Sequence, residues 1–233
     1  MKPLSDDILA KLRAVDTPTI CNAIEEIEGK RRADNFTRYP VVSCNIKLPA
    51  ICGYAKTGTI RAAHAPTEAK DVLKKRRLDY YRYLSKPPAP SLVVIEDLDH
   101  PKGVGAYWGE VQTNIHKALG VVGALTDGSI RDLDMLAEGF HLIGGSVGPS
   151  HAFVHMTAYD VPVTVFGLTV RPGDLVHADR HGAVVIAPEM ATELPRGLEL
   201  NTRREAPILK AARTKGFTVD KLIAAMGEAD DVH

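Results

Sequence analysis

Between Lys117 and Leu136 the chain reads "KALGVVGALTDGSIRDLDML". Gly120 to Thr126 is a run of small and apolar residues suited to a strand buried on both faces. Asp127, Arg131, Asp132 and Asp134 follow it at once. An Arg and several carboxylates at the edge of a core cost desolvation unless something pairs with them. An ion-paired turn leading into a helix would do so, and so would a metal ion or an anionic ligand. The local pattern leaves both readings open.

The same alternation extends to either side. "SLVVIEDL" (Ser91–Leu98) reads as a strand, "WGEVQTNIHKAL" (Trp108–Leu119) as a helix and "GVVGALTDG" (Gly120–Gly128) as a strand. "RDLDMLAEG" (Arg131–Gly139) then reads as a helix and "FHLIGGSVG" (Phe140–Gly148) as a strand. Repeated βα units imply an α/β fold. Upstream, "AICGYAKTGTI" (Ala50–Ile60) has the glycines and β-branched residues of a bending strand. "EAKDVLKKRRLDYYRYLS" (Glu68–Ser85) is an amphipathic helix that "KPPAP" must end, and its Lys74–Arg77 run reads as a solvated face. Downstream, "VPVTVFGLTVRPGDLVHADRHGAVVIAP" (Val161–Pro188) alternates like antiparallel strands, with turns at "RPGD" and "DRHG", and is expected as a hairpin region on one side.

Two short helices open the chain. "SDDILAKLRAV" has Ser5 as its cap, and "TPTICNAIEEI" has Thr17 or Thr19. The segment 189–233 reads as a C-terminal helical extension whose apolar stripe needs a partner surface, from the same domain or a neighbouring subunit. The expected organisation is a single domain over 1–233.

Composition narrows the function. Lys plus Arg is 29 and Asp plus Glu is 29, so no global field draws the chain to nucleic acid or an anionic membrane. No segment has the apolar length of a membrane span and the start does not resemble a signal peptide, so a cytoplasmic protein is expected. Cys21, Cys44 and Cys52 include no C-x-x-C pair and read as buried thiols. "GVGAYWG" lacks the G-x-G-x-x-G register, and no Ser or Cys sits in a nucleophile elbow. His151 and His155, four apart, could share a helix face but lack a third ligand; His64 reads as buried or on the surface.

The chemistry concentrates at two strand ends. Arg131 and Asp132 follow one strand; Gly109, Glu110 and the amides of Val111 and Gln112 stand at a helix N-terminus, where free N–H groups favour a carboxylate or phosphate. An anion cradle, a guanidinium and carboxylates able to hold a hard cation suit enolate chemistry on a 2-oxo acid.

Carried by "WGE", "GVVGALTDGSIRD" and "RPGDLVHADRHGAVVIAP", the chain resembles the RraA-like family. That family contains 4-hydroxy-4-methyl-2-oxoglutarate (4-carboxy-4-hydroxy-2-oxoadipate) aldolase and the regulator of ribonuclease activity A. Its aldolase branch is marked by an acidic residue, twenty intervening residues and Arg-Asp, a spacing that Glu110 and Arg131-Asp132 reproduce. The regulator branch has Gly at the first of these places and an acidic residue following two positions after Arg-Asp, where this chain has Glu110 and, beyond Leu133 and Asp134, Met135.

The resemblance implies a swivelling β/β/α domain with N- and C-terminal helices, assembled as a homotrimer or homohexamer. It implies Asp132 as the one direct ligand of Mg²⁺ or Mn²⁺, Arg131 as oxo-acid clamp and enolate stabiliser, and Glu110 as holder of a water. Gly109, Val111 and Gln112 would form the carboxylate site, and Glu205 of a neighbouring subunit would complete it. The implied activity is metal-dependent retro-aldol cleavage of a 4-hydroxy-2-oxo acid to pyruvate, with oxaloacetate decarboxylation beside it. The alternative is a non-catalytic protein that inhibits a ribonuclease or helicase. Glu110 is one carbon longer than the Asp usual in the aldolases, and "GGSVG" replaces a frequent Arg-Gly.

Overall fold

The structure is a computed structural model that describes residues 3–232. In chain order its elements are α1 (Asp6–Arg13), α2 (Thr17–Glu28), β1 (Val42–Ser43), β2 (Ile51–Arg61), α3 (Lys70–Leu84), β3 (Ser91–Asp97), β4 (Ala106–Trp108) and α4 (Glu110–Ala118). There follow β5 (Val121–Thr126), β6 (Ser129–Ile130), a 3₁₀ turn (Leu133–Met135), β7 (His141–Gly144), β8 (Ser146–Val147) and β9 (His155–Tyr159). Strands β10 (Val163–Val165), β11 (Leu168–Val170), β12 (Leu175–Asp179) and β13 (Gly182–Ile186) precede α5 (Leu194–Ala212) and α6 (Val219–Asp230).

The large sheet runs β1-β7-β5-β3-β2-β12-β13, with β9 also on β2. Strand β2 is its hub. One edge pairs parallel with β3 along Tyr54–Ile60; the other takes β12 at Ile51–Tyr54 and β9 at Gly58–Arg61, both antiparallel. A strand paired on both edges and covered on both faces must be buried throughout, and β2 is buried at every residue but Arg61. Gly53 belongs here because a Cβ would lie 2.9 Å from the Pro90 carbonyl oxygen. One face of the sheet packs on the β10–β11 hairpin, the other on α3 and α4. A third cluster joins α1 and α2 to Tyr54, Leu175 and Leu194.

A smaller parallel sheet, β4-β6-β8, carries the site. Ala106 is in register with Ser129 and Trp108 with Ile130, so Gly109-Glu110 and Arg131-Asp132 leave neighbouring strands at the same end. Ligands of parallel sheets gather at that end.

Several expectations need correction. The α2 cap is Asp16, whose carboxylate accepts the Thr19 N–H at 2.9 Å; Thr17 instead bonds to the sheet. Arg131–Gly139 forms no regular helix. Asp132 is left-handed (φ 57°), Leu136 is extended, and the Thr113 hydroxyl takes the Ala137 N–H, leaving one 3₁₀ turn. Phe140–Gly148 splits at Gly145, with β7 in the large sheet and β8 in the small one. The β10–β11 turn is Phe166-Gly167, both left-handed as a two-residue hairpin requires; "RPGD" is a turn as expected, with the Asp174 N–H on the Arg171 carbonyl, but it connects β11 to β12 in the large sheet. His151 and His155 share no helix: one lies in a loop, the other opens β9.

Three buried histidines tie elements together in the same way. His177 bonds the Leu12 carbonyl through Nε2 (2.9 Å) and the Thr17 hydroxyl through Nδ1 (3.0 Å). His141 bonds the Pro49 carbonyl and the Ser43 hydroxyl, and His116 the Gln112 carbonyl and the Tyr80 hydroxyl. In each, one nitrogen must donate to a carbonyl, and the hydroxyl can donate to the other, an arrangement that accommodates the neutral ring. Burial lowers all three pKa values, that of His116 to about 4. Below the ordinary value of 6.5 the unfolded chain binds protons that the folded one refuses, so stability falls as pH falls. We expect the melting temperature to drop between pH 6.5 and 4, with His116 contributing a loss on the order of 3 kcal/mol at the lower end. A melting temperature flat across that window would show that these rings are protonated at no cost.

Candidate active site

Of the four charged residues after β5, each has its own environment. Asp127 is buried, accepts the Asp97 N–H at 2.8 Å and pairs with Lys102 at 2.6 Å; burial nonetheless raises its pKa. It is the ion-paired turn. Asp134 lies exposed. Arg131 and Asp132 stand between these extremes, with side chains 33% and 25% exposed.

Asp132 is held against the start of α4. Its Oδ2 accepts the Glu110 N–H at 3.2 Å, and its Oδ1 lies 3.3 Å from Arg131 Nη1. The Arg131 N–H donates to the Trp108 carbonyl at 3.0 Å, continuing the β4–β6 pairing to the point where the side chains diverge. A Cβ on Gly109 would lie 2.5 Å from Asp132 Oδ2. Gly109 has φ −166°, which any residue adopts, so clearance for the carboxylate requires the glycine, not conformation.

Helix α4 has no side-chain cap. Asp132 uses the Glu110 amide, and the first backbone bond of the helix runs from Thr113 to Gly109. Among the described residues the Val111 and Gln112 amides therefore have no partner, at the positive end of the helix dipole. The Glu110 carboxylate, half-buried, makes no hydrogen bond or ion pair within the described chain.

A cleft of about 500 Å³ opens beside this corner. Gly109, Val111, Gln112 and Arg131 line it; Glu110 and Asp132 are not among its lining residues. Glu205 is not brought here. It sits on α5, accepts from Asn201 Nδ2 at 3.3 Å and lines a separate cleft with residues of α2. His64 does not line the cleft, but His151 and His155 do, together with Lys70, Lys74 and Arg77 of α3. That basic wall was missed from sequence; the i, i+4, i+7 spacing of its three cations was the available signal.

Among the described residues no group of three or more His, Cys, Asp and Glu side chains could cage a metal. A single partly exposed carboxylate is a different kind of site. It suits a hydrated Mg²⁺, which keeps several waters and takes one or two protein carboxylates. The cysteines are no rivals: all three are free, and burial raises Cys21 to about 11 and Cys52 to about 12.

The fold and this corner define an α/β protein with a cleft at the ends of parallel strands. More particularly, the chain belongs to the RraA-like family, described as Aldolase/RraA, whose model matches residues 17–185. The family holds both aldolases and ribonuclease inhibitors. Protein DlpA of Legionella pneumophila is 23% identical over 60% of this chain, and uncharacterised protein MJ0644 of Methanocaldococcus jannaschii 31% identical over 44%. The matched region spans only 23% and 50% of those two proteins. The crystal structure of Streptomyces coelicolor RraAS2, an unusual member of the RNase ES inhibitor RraA family, superposes with a TM-score of 0.66 at 22% identity. It covers 92% of this chain and 100% of its own and has the same fold. Among the described residues no helix is long and apolar enough to cross a membrane.

Gly109→Ala should push the Asp132 carboxylate off the Glu110 amide and cost about 1–3 kcal/mol, the penalty for stranding a polar group. The Glu110 amide resonance and the melting curve report it. If neither moves, Asp132 has room that the structure denies it.

Proposed function

We propose that the chain is a divalent-metal-dependent lyase that cleaves a 4-hydroxy-2-oxo acid to pyruvate by retro-aldol reaction, and decarboxylates oxaloacetate through the same enolate. One observation carries the reading. Arg131 lines the same cleft as Val111 and Gln112 of the α4 N-terminus, while the Asp132 carboxylate stands beside Arg131, held there by Glu110 N–H.

The Val111 and Gln112 amides bind the substrate carboxylate, and Arg131 binds the C2 oxygen. Asp132 would hold Mg²⁺ or Mn²⁺, which when bound supplies Lewis-acid withdrawal of charge from the C2 carbonyl. As the C3–C4 bond breaks, its electron pair passes to the C2 oxygen, where Arg131 meets the growing negative charge. The C4 hydroxyl loses its proton and C3 of the pyruvate enolate gains one. Glu110, unpaired within the chain, holds the water through which these protons move. Assembly into trimers would bring Glu205 of a neighbouring subunit to the site. The other reading, a non-catalytic inhibitor of a ribonuclease or helicase, lacks support from the motif: Glu110 stands where the regulator pattern has Gly, and Met135 where it has an acidic residue.

Pyruvate release from oxaloacetate or 4-hydroxy-2-oxo acids with Mg²⁺, read by a coupled assay, tests the proposal. Excess EDTA should abolish turnover without unfolding the protein, and Asp132→Ala should behave like the metal-free protein. Full activity in EDTA would end the metal reading.

Arg131→Lys keeps the charge but loses the planar fork, so kcat should fall by roughly 10²-fold or more, as on removal of an oxyanion donor. A near-normal kcat would leave Arg131 a role in the fold alone.

A further inference from the structure

Helix α3 carries two kinds of cation. Lys75 and Arg82 pair with Asp79 at 2.6 Å each, and Arg76 pairs with Glu68. Lys70, Lys74 and Arg77 have no hydrogen bond or ion pair within the described chain, and these three line the cleft. At i, i+4 and i+7 they share one helix face and repel each other along it. The lining residues include no Asp or Glu to offset them.

The rest of the cleft has its own demand for an anion. Arg131 and the α4 amides are matched by the single carboxylate and carbonyl of an oxo acid. Three cations of α3 are then left over in the same cleft. The remaining wall adds His151 and His155, each with Nδ1 2.8 Å from a backbone carbonyl oxygen, Ala152 and Phe153 respectively, which leaves Nε2 as the open nitrogen. The volume, about 500 Å³, falls among pockets that hold ligands far larger than a three-carbon acid, roughly 300–1,000 Å³.

We propose that Lys70, Lys74 and Arg77 form a subsite for a phosphate monoester, so that the half of the substrate remote from the oxo acid is phosphorylated. A second carboxylate brings one charge; a phosphate monoester brings about −1.5 to −2 at pH 7 and three acceptor oxygens, which three cationic donors match. The word substrate rests on the lyase reading; the binding does not.

Calorimetric titration at low salt with sn-glycerol 3-phosphate, and with glycerate as its carboxylate counterpart, tests the subsite without turnover. Glycerol 3-phosphate should bind the more tightly and weaken as salt is added. Replacing all three cations (Lys70→Gln, Lys74→Gln, Arg77→Gln) should weaken it by about tenfold or more, as expected for lost charge-assisted hydrogen bonds. The melting curve and the assembly mass by light scattering should stay unchanged. Equal affinity for the two probes would overturn the phosphate assignment, and wild-type affinity in the triple variant would overturn the location. A changed assembly mass would make the stripe a subunit contact instead. A protein that releases no pyruvate yet passes this titration loses the lyase reading and keeps the subsite; the converse result does the opposite.

Discussion

The corner between Gly109 and Asp132 works because one residue has no side chain. A methyl group on Gly109 would occupy the space of Asp132 Oδ2, and without that space the carboxylate could not take the Glu110 amide. The bond closes a loop whose contents explain the twenty-residue spacer: helix α4 and strands β5 and β6. The chain leaves β4, runs out along α4, returns through β5 and enters β6 beside its starting point. The spacing is thus the length of one helix-and-return crossover. It sets which residues face each other at the strand ends.

Two carboxylates five residues apart show how environment divides labour. Asp127 is saturated by Lys102 and the Asp97 amide and anchors the turn. Asp132, with one amide and a distant edge of Arg131, keeps acceptor capacity to spare and a quarter of its side chain exposed. Its left-handed backbone turns the chain away at once, so no helix follows to bury it. The neutral histidines do the opposite task. Enclosed and fully bonded, His116 joins α4 to α3, His141 joins β7 to β1 and the Pro49 segment, and His177 fastens the N-terminal helices to the sheet.

Much of this was legible beforehand, because burial leaves a strong pattern. Strands β3 and β5 read as apolar runs since both faces are covered, β2 read as a strand from its glycines and β-branched residues, and Arg131-Asp132 stood out as charge where a core run stops. What escaped depended on partners distant in sequence or on single backbone angles. Arg131–Gly139 has helical composition, yet the angle at Asp132 and the Thr113 hydroxyl prevent a helix. The Phe166-Gly167 turn hides within a run of apolar residues, because its signal is a bulky residue at positive φ. The α3 cations read as a solvated face, and part of the run is one; only the fold shows that Lys74 and Arg77 line the cleft while Lys75 and Arg76 are paired. Glu205, expected from resemblance, has no place near Arg131 within a single chain.

The central claim is that the corner built by the twenty-residue crossover is catalytic, and Glu110 separates that claim from a structural one. A carboxylate at a helix N-terminus gains about 0.3–1 kcal/mol from the dipole whatever else it does. Glu110→Gln keeps its size and removes its charge. The account predicts that Mg²⁺-dependent pyruvate release falls by about 10² to 10⁴-fold in kcat, the range of general acid–base groups, with an unaltered melting curve. Release at the native rate, with or without a small loss of stability, would contradict it and leave Glu110 a helix-terminal residue only.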